Sequence, residues 1–147
     1  PLPVLVADMD VVPKITAELP PLFHRLVAEF WPGPLTLILK AAAGLPPELV
    51  GAGKTIGIRL PAVPWIRETV RQAGFPLVAT SANISGAGEI AAAEKVFEVF
   101  YGRVDLIVDG GQAPGSSPST VVDLTSEKPR LAREGAIPKS RLGRYLT

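Results

Sequence analysis

The chain has 147 residues, of which 47% are hydrophobic and 20% are charged, and this composition fits one soluble globular domain of ordinary size. It contains no cysteine and a single histidine, His24, which excludes a disulfide scaffold, a thiolate zinc site, a cysteine nucleophile and a cluster of histidine ligands. The net charge is only +1, but residues 128–147 hold six Lys or Arg against one Glu, so any attraction to polyanions is expected at that end.

Short apolar runs rich in branched residues alternate along the chain with segments of helical period. Interleaved strands and helices without internal repeats predict an α/β fold, an open sheet covered by helices. In chain order the pattern predicts a strand over residues 4–6, helices over 12–19 and 21–30, strands over 35–40 and 55–61, a helix over 63–72, a strand over 76–80, a helix over 91–100, strands over 104–108, 120–124 and 130–133, and a terminal turn or helix from residue 139.

The predicted helix over residues 21–30 has one strongly apolar face. Phe23, Leu26, Val27 and Phe30 recur at the spacing i, i+3, i+4, i+7, which is typical of a helix side buried in a core. His24 lies off that face, so we interpret it as a solvent-side residue rather than a catalytic base.

Two segments resemble known catalytic or nucleotide-binding motifs, but both assignments can be rejected. Residues 51–55 (GAGKT) resemble the end of a phosphate-binding P-loop, but Glu48 occupies a required glycine position and Thr55 opens a strand rather than a helix. A serine-hydrolase elbow around Ser81 would need glycine at positions 79 and 83, where Ala79 and Asn83 stand.

The strand predicted over residues 76–80 ends in small polar residues. Ligands of α/β sheets gather beyond the carboxyl ends of strands, where short side chains leave backbone N–H groups open to a phosphate or carboxylate. Ser81 and Asn83 are therefore candidate ligand contacts. The alternative is that Thr80, Ser81 and Asn83 only cap the turn by bonding to nearby backbone.

Two arginines and a serine suggest a site for an anionic small molecule. Arg59 stands inside an otherwise apolar strand, where it must pair with a ligand's carboxylate or phosphate or, alternatively, with an Asp or Glu of the protein. Ser119 precedes the strand over 120–124, and Arg133 ends the last strand. The residues by themselves predict a site for a phosphorylated or carboxylated molecule, with no acid–base pair and no metal cluster.

Five segments that cover nearly the whole chain carry a more specific pattern: residues 30–38 (FWPGPLTLI), 56–61 (IGIRLP), 77–86 (LVATSANISG), 119–123 (STVVD) and 131–137 (LAREGAI). In order and spacing they resemble the YrdC-like threonylcarbamoyl-AMP synthase family. The resemblance implies a YrdC-like open twisted mixed sheet with helices packed on it.

The resemblance also implies a nucleotidyltransferase that joins L-threonine, bicarbonate and ATP into threonylcarbamoyl-adenylate, with no protein nucleophile and release of pyrophosphate. It implies ATP contacts at Thr55, Ser81 and Arg133, and an L-threonine site at Arg59, Ala79 and Ser119. Asn83 and Glu89 are implied as additional contacts, although a carboxylate at position 89 would repel a triphosphate. Mg²⁺ is expected to be carried by the ATP phosphates rather than by the protein.

The same resemblance implies partners. The product feeds the N6-threonylcarbamoyl modification of adenosine 37 in tRNA through a threonylcarbamoyl transferase complex, and tRNA or double-stranded RNA is an expected further partner. The apolar stretches fall short of the roughly 18 residues that a membrane span needs, and the N-terminus has no basic segment followed by an apolar run, so no membrane partner and a cytoplasmic location are expected.

The start of the chain departs from the family pattern. Residues 1–8 resemble the stretch just after the family's Lys-x-Arg motif, so residues 1–147 are expected to form one YrdC-like domain that lacks its N-terminal segment, with no second domain. We expect this 147-residue piece alone to be weak or inactive. Two alternative functions stay open, a YrdC-like RNA-binding module without synthase activity and the carbamoyl-transfer domain of hydrogenase maturation proteins.

Overall fold

The computed structural model of the protein describes residues 2–84, 86, 90–111 and 117–146. Its strands are β1 (Pro3–Leu5), β2 (Leu35–Lys40), β3 (Thr55–Arg59), β4 (Leu77–Val78), β5 (Thr120–Asp123) and β6 (Arg130–Arg133). Its α-helices are α1 (Val12–Ile15), α2 (Pro21–Phe30), α3 (Pro64–Ala73), α4 (Ala93–Phe100) and α5 (Lys139–Leu142), and short 3-10 helices cover Met9–Val11, Pro47–Leu49 and Gly143–Tyr145.

The described residues divide into two compact units. The sheet unit contains the residues up to Ala79 and from Pro118 onward, and the intervening unit lies within residues 80–117 and contains α4. None of the helices in the described part of the chain is long and apolar enough to cross a membrane.

The strands form one mixed sheet in the order β4-β1-β3-β2-β5-β6. β1 is parallel to β3 and β2 is parallel to β5, whereas the other neighbouring pairs are antiparallel. Leu37 pairs with Ile58 of β3 on one side and with Val122 of β5 on the other, so it marks the centre of the sheet. The predicted open mixed sheet is confirmed.

One face of the sheet forms the main hydrophobic core. Alternate residues of the strands point into it, because side chains in a strand alternate between the two faces. Helices α1, α2 and α5 cover this face and contribute Val12, Phe23, Leu26 and Leu142, all fully buried. The other face carries Thr36, Gly57 and Arg59.

Helix α2 matches its prediction at both ends. Pro21 occupies its first turn, where the missing N–H costs no hydrogen bond. Phe23, Leu26 and Phe30 are buried, and Val27 packs partly buried against them. His24 is exposed, which confirms that it lies on the solvent side.

Helix α1 is shorter than predicted, because the chain after Ile15 pairs with the end of β2 instead. Thr16 is extended and bridges to Ala41, and the N–H of Ala17 donates to the carbonyl of Lys40 at 2.9 Å. Helix α3 ends at Ala73, one residue beyond its predicted range, and Gly74 then adopts a left-handed conformation with φ of 77°.

The strand predicted over residues 104–108 is wrong. These residues form no strand in the described structure, and the side chains of Val104, Leu106 and Val108 are 47%, 77% and 58% exposed. An apolar run becomes a strand only when a neighbour supplies backbone hydrogen bonds, and the described chain provides none here.

Candidate functional site

Arg59 ends β3 on the face of the sheet opposite the main core. Its Nε donates to the carbonyl oxygen of Gly33 at 3.0 Å, and no carboxylate of the described chain pairs with it. The internal salt bridge that the sequence left open is therefore absent from the described structure. Partial burial lowers the pKa of the Arg59 guanidinium below its usual range, because losing water disfavours the charged form. Among the residues that the structure describes, no carboxylate serves as counter-ion to this cation.

The turn between α2 and β2 places the carbonyl that Arg59 uses. The Gly33 N–H donates to the carbonyl of Leu60 at 2.9 Å, and the indole Nε1 of Trp31 donates to the carbonyl of Leu35 at 2.7 Å. A Cβ at position 33 would lie 2.2 Å from the carbonyl oxygen of Phe30, so only glycine fits there. Hydrogen bonds of Gly33 to Leu60 and to Arg59 therefore connect this turn to the end of β3.

Ser119 and Arg133 are in direct contact. The guanidinium of Arg133 donates to the Ser119 carbonyl through Nε at 3.1 Å and Nη2 at 2.8 Å, and Nη2 also reaches the Ser119 hydroxyl oxygen at 3.1 Å. The side chain of Arg133 therefore clamps the residue that leads into β5. As with Arg59, the described chain offers it a backbone carbonyl and no carboxylate.

The segment after β6 is fixed against Ser119 by a buried threonine. The hydroxyl of Thr120 accepts from the N–H groups of Gly135 and Ile137, at 3.0 and 2.9 Å, and donates to the carbonyl of Ile137 at 2.7 Å. A Cβ on Gly135 would lie 2.2 Å from the carbonyl oxygen of Pro118, which makes glycine necessary at this close approach. Backbone hydrogen bonds hold both sides of Ser119, since the Ala136 N–H donates to the Pro118 carbonyl and the Thr120 N–H donates to the Pro34 carbonyl, both at 2.9 Å.

Thr36 was not predicted to belong to the site, yet it links the two arginine positions. Its hydroxyl lies 2.8 Å from the Ser119 hydroxyl, and both residues are buried. Leu37 pairs with Ile58, so the next pair along this register is Thr36 with Arg59. A threonine inside the apolar run 35–39 was the available signal, of the same kind as an arginine inside β3.

Gly57 lies next to Thr36 on the same face and carries no side chain. A Cβ added to Gly57 would contact the Thr36 methyl group at 3.7 Å and the Cα of Pro3 at 3.6 Å, at ordinary van der Waals distance. Glycine therefore leaves room on the sheet surface between β1 and β2. Arg59 lies two residues further along the same face of β3.

Two further predicted contacts, Thr55 and Ala79, lie elsewhere in the sheet unit. Thr55 starts β3, roughly 13 Å from Arg59 by the rise of a strand, and its hydroxyl donates to the carbonyl of Ala52 at 3.0 Å. Ala79 follows β4 and donates its N–H to the carbonyl of Pro3 at 2.9 Å. Thr55 opens a strand, which confirms the rejection of a P-loop.

The remaining predicted contacts belong to the intervening unit or lie outside the described residues. Ser81 is exposed, and the side-chain amide of Asn83 donates to the carbonyl of Ile84 at 3.1 Å, a local bond of the kind expected for a turn cap. Glu89 lies outside the residues that the structure describes.

Chemically, the candidate site presents the guanidinium groups of Arg59 and Arg133 and a buried pair of hydroxyls. Cations and hydroxyl donors of this kind bind carboxylates and phosphates. Within the described ranges no group of three or more His, Asp or Glu side chains is placed to hold a metal ion. The arrangement can hold and align anions, but it supplies no obvious acid–base pair.

Comparisons with known proteins match this chain to one family. Residues 1–135 match the Sua5/YciO/YrdC family, described as telomere recombination. The threonylcarbamoyl-AMP synthase of Pyrococcus abyssi is 34% identical over 146 residues, 99% of this chain. A putative threonylcarbamoyl-AMP synthase of Methanocaldococcus jannaschii is 38% identical over 144 residues, which are 98% of this chain and 67% of that protein.

One solved structure is similar to nearly the whole of this chain. The crystal structure of P. abyssi Sua5 complexed with L-threonine superimposes with a TM-score of 0.93 at 34% identity, over 99% of this chain and 43% of that chain. The chain therefore spans about two fifths of the P. abyssi protein, a share of 43%.

Proposed function

Because the chain belongs to the Sua5/YciO/YrdC family, we propose that it carries the L-threonine and ATP sites of a threonylcarbamoyl-AMP synthase. The observation that carries this proposal is Arg59, a partly buried cation held by a backbone carbonyl with no carboxylate partner in the described chain. Such a group suits the carboxylate of an amino acid, because a bidentate guanidinium–carboxylate pair restores the missing counter-ion.

The proposed reaction combines L-threonine, bicarbonate and ATP into threonylcarbamoyl-adenylate, pyrophosphate and water. The threonine amine and bicarbonate form a carbamate. Its oxygen then forms a bond to the α-phosphorus of ATP as the bond to pyrophosphate breaks. This chemistry depends on alignment and on stabilising negative charge more than on a protein nucleophile, which agrees with the composition of the site.

In this proposal Arg59, Ala79 and Ser119 line the threonine site, with Arg59 taking the carboxylate. Thr55, Ser81 and Arg133 contact ATP, and Asn83 and Glu89 are further contacts. The separation of Thr55 from Arg59 along β3 supports assigning them to different substrates. The Arg133 Nη1, which meets no acceptor in the described chain, is available to a phosphate.

Mg²⁺, in this proposal, arrives as part of the ATP substrate. Mg²⁺ prefers oxygen ligands and commonly uses substrate phosphates with one or two carboxylates. The described residues form no cluster that would hold it by themselves. We further propose that the product passes to a threonylcarbamoyl transferase complex for modification of adenosine 37 in tRNA, with tRNA or double-stranded RNA as a partner.

The direct test is pyrophosphate release by the full-length natural protein that contains this chain. We expect release to require L-threonine, bicarbonate and ATP together, and mass spectrometry to detect threonylcarbamoyl-adenylate. Release that is indifferent to threonine would overturn the proposal. His24→Ala serves as a control variant. His24 is exposed on α2, so its substitution should leave the rate of pyrophosphate release unchanged.

A further inference from the structure

We propose that Thr36 is a positioning residue that makes the Ser119 hydroxyl a hydrogen-bond donor to an oxygen atom of the substrate. The inference rests on the proposed function, because it assigns a role to Ser119 within the threonine site. Its observation is the buried contact of 2.8 Å between the Thr36 and Ser119 hydroxyl oxygens.

The direction of that hydrogen bond follows from the surroundings of the two hydroxyls. A hydroxyl has one hydrogen to donate and two lone pairs that accept. Thr36 is only 4% exposed, and within the described structure the Ser119 oxygen is the only acceptor in reach of its hydroxyl hydrogen. A buried hydroxyl hydrogen without an acceptor is costly, and donation by Ser119 would leave the Thr36 hydrogen in that state. Donation by Thr36 instead leaves the Ser119 hydrogen for an acceptor on the ligand, so we take Thr36 as the donor in the bound state.

Arg133 uses the second lone pair of the same oxygen. A guanidinium can only donate, so its Nη2 contact at 3.1 Å makes Ser119 an acceptor there too. With both lone pairs occupied, Ser119 has only its own hydrogen left for a ligand. It therefore recognises an acceptor, such as a carboxylate or carbamate oxygen, and not an ammonium group.

The fold makes this arrangement durable. Thr36 is held in β2 between β3 and β5, and the backbone on either side of Ser119 is fixed through Thr120 and Gly135. The Thr36 hydroxyl thus acts on the substrate only through Ser119, across a separation of 83 residues in the sequence.

A double-mutant cycle tests this inference in the full-length natural protein. The variants are Thr36→Val, Ser119→Ala and their combination, assayed for kcat and KM with L-threonine by pyrophosphate release, with Tm recorded for each. We expect Thr36→Val to lower kcat/KM about tenfold, as for loss of one oriented hydrogen bond. In the Ser119→Ala background the same change should cost less than about twofold, because the group it positions is gone.

Two controls separate positioning from packing. Thr36→Ser keeps the donor and should restore kcat/KM. Thr69→Val makes the same substitution at an exposed threonine of α3, whose hydroxyl only bonds to the carbonyl of Trp65, and should change nothing. If Thr36→Val does not fold, Thr36→Ala replaces it in the cycle.

Equal losses in both backgrounds, or no loss in the single variant of an active enzyme, would overturn the role of Thr36 and leave the proposed function standing. A wild-type protein without threonine-dependent pyrophosphate release would instead overturn the proposed function, and the role of Thr36 with it.

Discussion

Two parts of the sheet unit each carry a pair of arginines, and the two pairs differ in the groups that they contact. Near the C-terminus, Arg141 and Arg144 both donate to the carboxylate of Glu29. Tyr145 also donates to that carboxylate, and its ring lies under the Arg144 guanidinium at 5.0 Å. At the site, Arg59 and Arg133 donate to backbone carbonyls. Within the described residues they have no carboxylate at all.

This contrast distinguishes arginines with a structural role from arginines that are available to a ligand. Hydrogen bonds from Tyr145, Arg144 and Arg141 lower the pKa of the Glu29 carboxyl against the opposing effect of burial, so that cluster is complete within the protein. Burial lowers the pKa of Arg59 with nothing to offset it. A bound anion would stabilise the Arg59 cation, whereas Arg141 and Arg144 already contact the Glu29 carboxylate.

The largest effect should come from removing the unneutralised cation. Arg59→Ala is expected to raise the KM for L-threonine on the order of 10²-fold, because a charged hydrogen-bonding partner of the carboxylate is lost. Arg141→Ala, the matched change at an arginine that is paired with Glu29, should leave KM unchanged. Steady-state kinetics of the full-length protein decides this, and an unchanged KM for Arg59→Ala would mean that the arginine is structural.

A second prediction concerns the backbone that carries Ser119. Gly135→Ala should destabilise the protein by about 1–3 kcal/mol, since its Cβ would collide with the backbone of Pro118 and Ser119. Gly143→Ala is the control, because Gly143 has φ of −48° and open space around its Cα. Urea denaturation of both variants measures the difference, and equal stability would contradict the close approach.

The third prediction addresses the Ser119 hydroxyl. Ser119→Ala should lower kcat/KM for L-threonine by roughly tenfold through loss of one hydrogen bond. It should also lower Tm modestly, because the buried Thr36 hydroxyl loses the acceptor that Ser119 provides. The Ser119 carbonyl still accepts both bonds from Arg133, so no collapse of the fold is expected. Thermal melts and steady-state kinetics of the same variant separate a substrate-binding role of Ser119 from a purely structural role. A collapse of Tm with no kinetic effect in the folded protein would make Ser119 a structural residue.

The smallest effect is expected from Glu29, which accepts hydrogen bonds from Arg141, Arg144 and Tyr145. Glu29→Gln should lower Tm slightly at pH 7 and leave synthase kinetics unchanged. Because the pKa of Glu29 is lowered from 4.5 in the folded protein, its stabilising contribution is present above that value and is lost as the pH falls through the lowered pKa. Melts of both proteins from pH 7 downward should therefore converge in acid, and a difference that persists there would contradict the assignment.

Local sequence patterns were sufficient for most of the sheet unit. Residues 35–40 form β2 over the predicted range, because a branched apolar run between turn residues has a neighbouring strand on each side. Arg59 could be singled out for the same local reason, as a charge within an apolar strand. The run over 104–108 has the same appearance, yet it forms no strand, since periodicity carries no information about a partner strand.

The contacts that organise the site could not be read from the sequence. Thr36 and Ser119 are 83 residues apart, and only the parallel pairing of β2 with β5 brings their hydroxyls together. The role of Gly135 likewise depends on the backbone of Pro118, which belongs to a different part of the chain. Sequence reasoning identified the charged groups, and the fold determined what fixes each of them.

A crystal structure of the full-length protein with L-threonine would show directly whether Arg59 binds the substrate carboxylate. We predict that the threonine carboxylate lies within hydrogen-bond distance of the Arg59 guanidinium, whose Nε still donates to the Gly33 carbonyl, and that the Ser119 hydroxyl faces an oxygen acceptor of the ligand. Threonine bound away from Arg59, or Arg59 paired with a carboxylate of the protein, would contradict the account.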